Sequence, residues 1–341
     1  MNSTKSGTKK LANSPYKINI WNKKQTTNST VNVWSQLPPN FLDTVKVKPI
    51  KDPTVRQRKP WGARYALYGF LLSLALQLAV VSVILAYKVA ELGGKGLSIE
   101  EINDQALAAT QKLGPGLLIA QLSMYAGWLI VMFYVTNKRG LHSFAKDFWL
   151  RFNWKRDIIF GVSIAIGLRI TEMLIFAGLS AVGVSLEGAD NSSQWQGKTL
   201  WAYFFMFVIV SFVGPICEEL FFRGLFMQGL IHTFRRRTLT PRTWFGRGVQ
   251  NTYPPLFTAF SKYKDFLYKY KYALAAIISA IGFGFMHFQG TENFGQWLVV
   301  IETGTIGLIL AIMTLRTKRM GMAIFAHITF NFSGMLASLF F

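Results

Sequence analysis

The stretch that decides the reading is GPICEELFFRGLF, residues 214–226. Glu218, Glu219 and Arg223 stand in it, with WAYFFMFVIVSFV before and MQGLI after. Three charges in so apolar a run are costly in a bilayer, and by default they mark function. Helical geometry separates them. Each residue turns about 100°, so Glu219 and Arg223, four apart, share a face and pair. Glu218 diverges from Arg223 by about 140° and is left without a local cation. General-base chemistry on water near neutral pH calls for a carboxylate not already held by a cation. The spacing alone therefore nominates Glu218 over Glu219.

The rest of the chain sets this stretch in a membrane. Of 341 residues, 51% are hydrophobic and only 16% charged, a balance outside the soluble range. Runs of about 20 apolar residues, enough to cross a bilayer, occur at 64–88, 115–136, 157–184, 199–232, 272–291, 296–315 and 320–341. The fourth is too long for one simple span, and Gly214-Pro215 within it is expected to kink or divide it. The expectation is an all-α, polytopic membrane helix bundle with seven to eight transmembrane helices. One cysteine excludes a disulfide framework within the chain.

A net charge of +21 raises nucleic-acid binding as a function, but its distribution argues otherwise. Thirty of the 37 Lys and Arg fall in 1–63, 137–156, 233–271 and at Arg316, Lys318 and Arg319. The alternating segments 89–114, 185–198 and 292–295 hold only Lys95, Lys112 and Lys198. That asymmetry is the positive-inside pattern. It predicts a cytoplasmic N-terminus, contact with anionic lipid and no nucleic-acid partner; the expected location is the plasma membrane. With seven spans the C-terminus lies outside.

Residues 1–60 are polar, basic and punctuated by proline, and read as a disordered cytoplasmic tail. They carry no signal peptide, and Trp21, Trp34 and Trp61 are candidates to touch the membrane surface. Residues 61–341 form the transmembrane helical domain. The basic, aromatic stretch 233–271 reads as an interfacial loop on the cytoplasmic leaflet.

The other polar residues within spans are few. Arg169 and Glu172 are three apart and suit a structural pair. Glu302 has no evident partner in the sequence. Phe283 and His287 are four apart in FGFMH, as are His327 and Asn331 in HITFN, so each pair lies on one helix face. Three segments thus offer a Glu, two His and an Asn to one bundle. Cys217, next to Glu218, raises a Cys–His protease as an alternative, with inert packing favoured. A transporter using the charges as a relay is a third reading, disfavoured by the lack of an internal repeat.

EELFFR at 218–223, FGFMH at 283–287 and HITFN at 327–331 resemble, in order and approximate spacing, the EExxxR, FxxxH and HxxxN signature of the CPBP family, which contains the type II CAAX prenyl endopeptidases and bacteriocin-processing or immunity-type membrane proteins. The resemblance covers roughly 157–341. It implies a glutamic-type intramembrane endopeptidase that hydrolyses a peptide bond of a membrane-associated protein or peptide. Glu218 would activate water and His287 would help to hold it. His327 and Asn331 would stabilise the oxyanion, with Glu219 and Arg223 in support. The alternative within the family is a non-catalytic scaffold or immunity factor. Zinc on Glu218, His287 and His327 is conceivable. A cofactor-free, metal-free site is favoured, since the chain has no HExxH and no His pair four apart to chelate the ion.

Overall fold

A computed structural model describes residues 60–95, 97–102, 104, 105, 115–189, 200–235, 254–288, 290 and 293–337. Backbone contacts divide the chain into Met1–Val55 and Arg56–Phe341, and the fold below is that of the second unit. The proposed tail, with Trp21 and Trp34, lies outside the described residues except for Pro60.

Among the described residues there is helix and no strand. The principal helices are α1 (Arg64–Gly93), α2 (Pro115–Lys138), the short α3 (Phe144–Asp147), α4 (Trp154–Ala181), α5 (residues 200–235), α6 (Pro254–Phe285), α7 (Phe294–Thr317) and α8 (Gly321–Ala337). Helices α1 and α2 pack together, as do α4 and α8, and α6 and α7, while α5 touches α1, α2, α6, α7 and α8. This is an integral membrane architecture. Arg64–Gly93, Leu118–Lys138, Trp154–Ala181 and Phe294–Thr317 are long and apolar enough to cross a bilayer, and α8 is a shorter apolar helix. Only 11% of the most apolar stretch of α1, and of α4, is buried inside the protein. Exposed residues such as Leu71, Leu78, Ile170 and Leu174 form apolar faces of the kind that lipid, not water, solvates.

Helix α5 corrects the expected break. Gly214 keeps helical angles (φ −54°, ψ −62°) and the helix continues into Pro215 without being divided. The accommodation is a change of winding. Phe205–Val213 and Leu220–Met227 are π-helical, on either side of the α-helical turn Gly214–Glu219. The Gly214 N–H donates five residues back, to Ile209 O. In that register the next donor would be residue 215, and proline has no N–H, so Val210 O is left over. Asn331 Nδ2 of α8 donates to it at 3.0 Å. Two more carbonyls of the π segments take side-chain donors from outside: Phe222 O from Ser279 Oγ at 3.0 Å and Leu225 O from Trp61 Nε1 at 3.1 Å. The widened helix is therefore held by side chains of its neighbours, which keeps its backbone groups satisfied in the membrane.

Trp61 is a second correction. It is buried, not at the membrane surface, with its ring 5.2 Å from Phe148 and 5.1 Å from His232. The stretch 233–271 is not all loop: α6 begins at Pro254, so its Lys- and Tyr-rich part is helical. Residues 236–253 lie outside the described residues.

Candidate active site

The buried face of α2 runs through Gln121, Tyr125, Trp128, Met132 and Val135, at spacings of four and three. Its lower part is apolar and packs on α5, with Trp128 stacked on Phe221 at 4.4 Å. Above that contact stand the two glutamates of the Gly214–Glu219 turn, which also meets α8.

Glu219 is fully buried: its Oε1 pairs with His327, and its Oε2 is held by an ion pair with Arg223 and not by a hydrogen bond. Arg223 Nε approaches its Oε2 at 3.1 Å and His327 Nδ1 its Oε1 at 3.0 Å. Arg223 in turn donates to Gly307 O at 3.1 Å and lies 4.5 Å over the Phe283 ring. The expected Glu219–Arg223 pair is thus present and locked from three sides. Gly307 allows this approach, because a Cβ there would come within 2.9 Å of the Phe283 ring.

Glu218 is held differently. Its Oε2 is buried without a hydrogen bond and lies 3.7 Å from His327 Nε2. His327 therefore stands between the two carboxylates. Since a carboxylate can only accept, Nδ1 carries the proton given to Glu219, and Nε2 is the ring atom that faces Glu218. Phe283 joins the second histidine to this group, its ring 5.5 Å from His327 and 4.8 Å from His287. His287 Nδ1 pairs with Phe283 O at 2.9 Å, which fixes its tautomer and leaves Nε2 open. His287 does not continue the helix, as FGFMH suggested. Helix α6 ends at Phe285, and the His287 N–H makes a tight turn to Gly284 O at 3.0 Å. Asn331 sits one turn after His327, with its amide engaged on Val210 O.

The remaining polar residues fall outside this group. Arg169 and Glu172 form the expected ion pair, and Arg169 also donates to Phe330 O at 2.6 Å. Glu302 is not partnerless: it interacts with Glu172 and Arg169. Cys217 is buried in the apolar core cluster with Phe221 and Leu220. Tyr125, which the sequence did not single out, reaches the site from α2. A Cβ built on Gly214 would lie 2.9 Å from Tyr125 Oη and 3.6 Å from Glu218 Oε1. The signal available for it was the Gln121–Tyr125 spacing of four, two polar groups on one face of an apolar span. Among the described residues no three His, Cys, Asp or Glu side chains are placed to hold a metal ion, so Glu218, His287 and His327 do not form a ligand set in this geometry.

Residues 200–333 match the family model described as Rce1-like, type II CAAX prenyl endopeptidase Rce1-like. The match spans all three motifs and the whole of α5. The match supports the resemblance to the CPBP family of intramembrane peptidases, and with it a CAAX-type protease in the membrane. Comparison with curated proteins and with solved structures gives no match.

Proposed function

We propose that this protein is a glutamic-type intramembrane endopeptidase. The observation that carries the reading is the division of labour between adjacent carboxylates: Glu219 is held by Arg223 and by His327 Nδ1, while Glu218 has no arginine against it among the described residues and turns its Oε2 toward His327 Nε2. Glu218 takes a proton from water as the hydroxyl attacks the scissile carbonyl carbon. The same proton passes to the amine as the C–N bond breaks. His287 Nε2 orients the water. His327 and Asn331, on one face of α8, stabilise the oxyanion, and the second amide hydrogen of Asn331 is free to donate to it. Such donors, aimed at charge that develops only in the transition state, lower the barrier by a few kcal/mol each. No metal enters these steps.

The substrate class is a membrane-anchored protein or peptide, approaching from the cytoplasmic side. Helices α5, α6 and α8 join the four candidate spans to give seven crossings, with the N-terminus in the cytoplasm, the plasma membrane as location and anionic lipid at the basic flanks. The test is turnover of a fluorogenic farnesylated CAAX-type peptide, and of its unprenylated counterpart, by the full chain in lipid vesicles. Hydrolysis should survive exhaustive chelation and fall at least about 100-fold in Glu218→Ala. Full activity of Glu218→Ala, or loss of activity on removal of stoichiometric zinc, contradicts the mechanism.

A further inference from the structure

Tyr125 lies outside the matched residues 200–333 and outside all three motifs, yet it belongs geometrically to the glutamate site. It is 4% exposed, in a stripe where a phenylalanine would pack as well against Trp128. A buried hydroxyl is expensive unless it has partners. One partner is Gln121, whose Nε2 donates to Tyr125 Oη at 2.9 Å. With its oxygen accepting from Gln121, the phenol has its own proton left to give. The Cβ position of Gly214 shows what it faces: Tyr125 Oη at 2.9 Å, Ile209 O at 3.1 Å and Glu218 Oε1 at 3.6 Å all border that one point. The phenol and the Glu218 carboxylate thus border the same bare side of Gly214, a polar recess that a hydroxyl donor and a carboxylate share. Only glycine leaves the recess open, since any side chain at 214 would push the phenol away.

Resting on the peptidase reading above, we propose that Tyr125 is a positioning residue for that reaction: its hydroxyl donates into the recess beside Glu218 and orients the water that Glu218 deprotonates. Gln121 fixes the phenol's direction, and Gly214 gives it access. The chemistry of the glutamate site thus extends to a helix that the family signature does not reach.

Two measurements on the full chain in vesicles test this. In the first, the farnesylated peptide serves as the probe. Tyr125→Phe should lower kcat by about 100-fold with KM unchanged and thermal unfolding in place. Gly214→Ala, which adds the better helix former, should lower kcat in the same way. In the second, Tyr125→3-fluorotyrosine is observed by fluorine NMR without substrate. Its resonance should move when Glu218→Gln is introduced and stay in place with Glu91→Gln on α1. Wild-type kcat in Tyr125→Phe overturns the proposal, and so does a fluorine resonance indifferent to Glu218→Gln. Turnover retained by Glu218→Gln contradicts the peptidase mechanism instead, and leaves the NMR measurement to decide the Tyr125–Glu218 relation.

Discussion

Glu219 and Arg223 show how a membrane interior holds full charges. Both side chains are essentially without solvent exposure, and the pair is completed by His327, Gly307 O and the Phe283 ring. Removing one partner of such a pair leaves an uncompensated buried charge. Arg223→Met should therefore destabilise the protein by about 3–5 kcal/mol, read from detergent-induced unfolding, whereas Glu218→Gln should cost far less, since no cation depends on it. Equal losses in the two variants would refute the assignment of separate roles. This distinction was legible in the sequence, because i, i+4 spacing alone couples Glu219 to Arg223. The position of His327 was not: nothing in HITFN says that its ring lies between two carboxylates a hundred residues away. Tyr125 was hidden for a related reason, as a tyrosine in an apolar span reads as packing until the glycine opposite it is known.

At the scale of the element, α5 carries the lesson. The pattern Gly-Pro in an apolar run predicts a break because proline lacks a donor. The structure keeps the helix and changes its winding, and Asn331 supplies the hydrogen bond to Val210 O that proline omits. No local rule of composition forecasts an i→i+5 register, which depends here on donors from Trp61, just before α1, from α6 and from α8. A thermodynamic cycle checks the account. Asn331→Ala should cost about 1–3 kcal/mol in the native background. It should cost clearly less alongside Pro215→Ala, where residue 215 regains an N–H. Additive losses would show that the two residues do not share the Val210 carbonyl.

For the whole molecule, composition and charge asymmetry made the membrane class legible, and the exposed apolar faces of α1 and α4 agree with it. The orientation can be measured in a Cys217→Ala background. Lys146→Cys and Ser185→Cys place thiols at two exposed positions that flank α4. A membrane-impermeant maleimide added to intact cells should label Ser185→Cys, and should reach Lys146→Cys only after permeabilisation. The reverse pattern would invert the topology and move the basic flanks to the outer surface. The central claim, that Glu218 drives peptide-bond hydrolysis in the membrane, is tested most directly in heavy-oxygen water. Membranes containing the intact chain or Glu218→Gln are incubated in it, and newly formed protein C-termini are sequenced by mass spectrometry. The account predicts termini that carry the heavy oxygen with the intact chain and are missing with Glu218→Gln; the same labelled termini from both would contradict it.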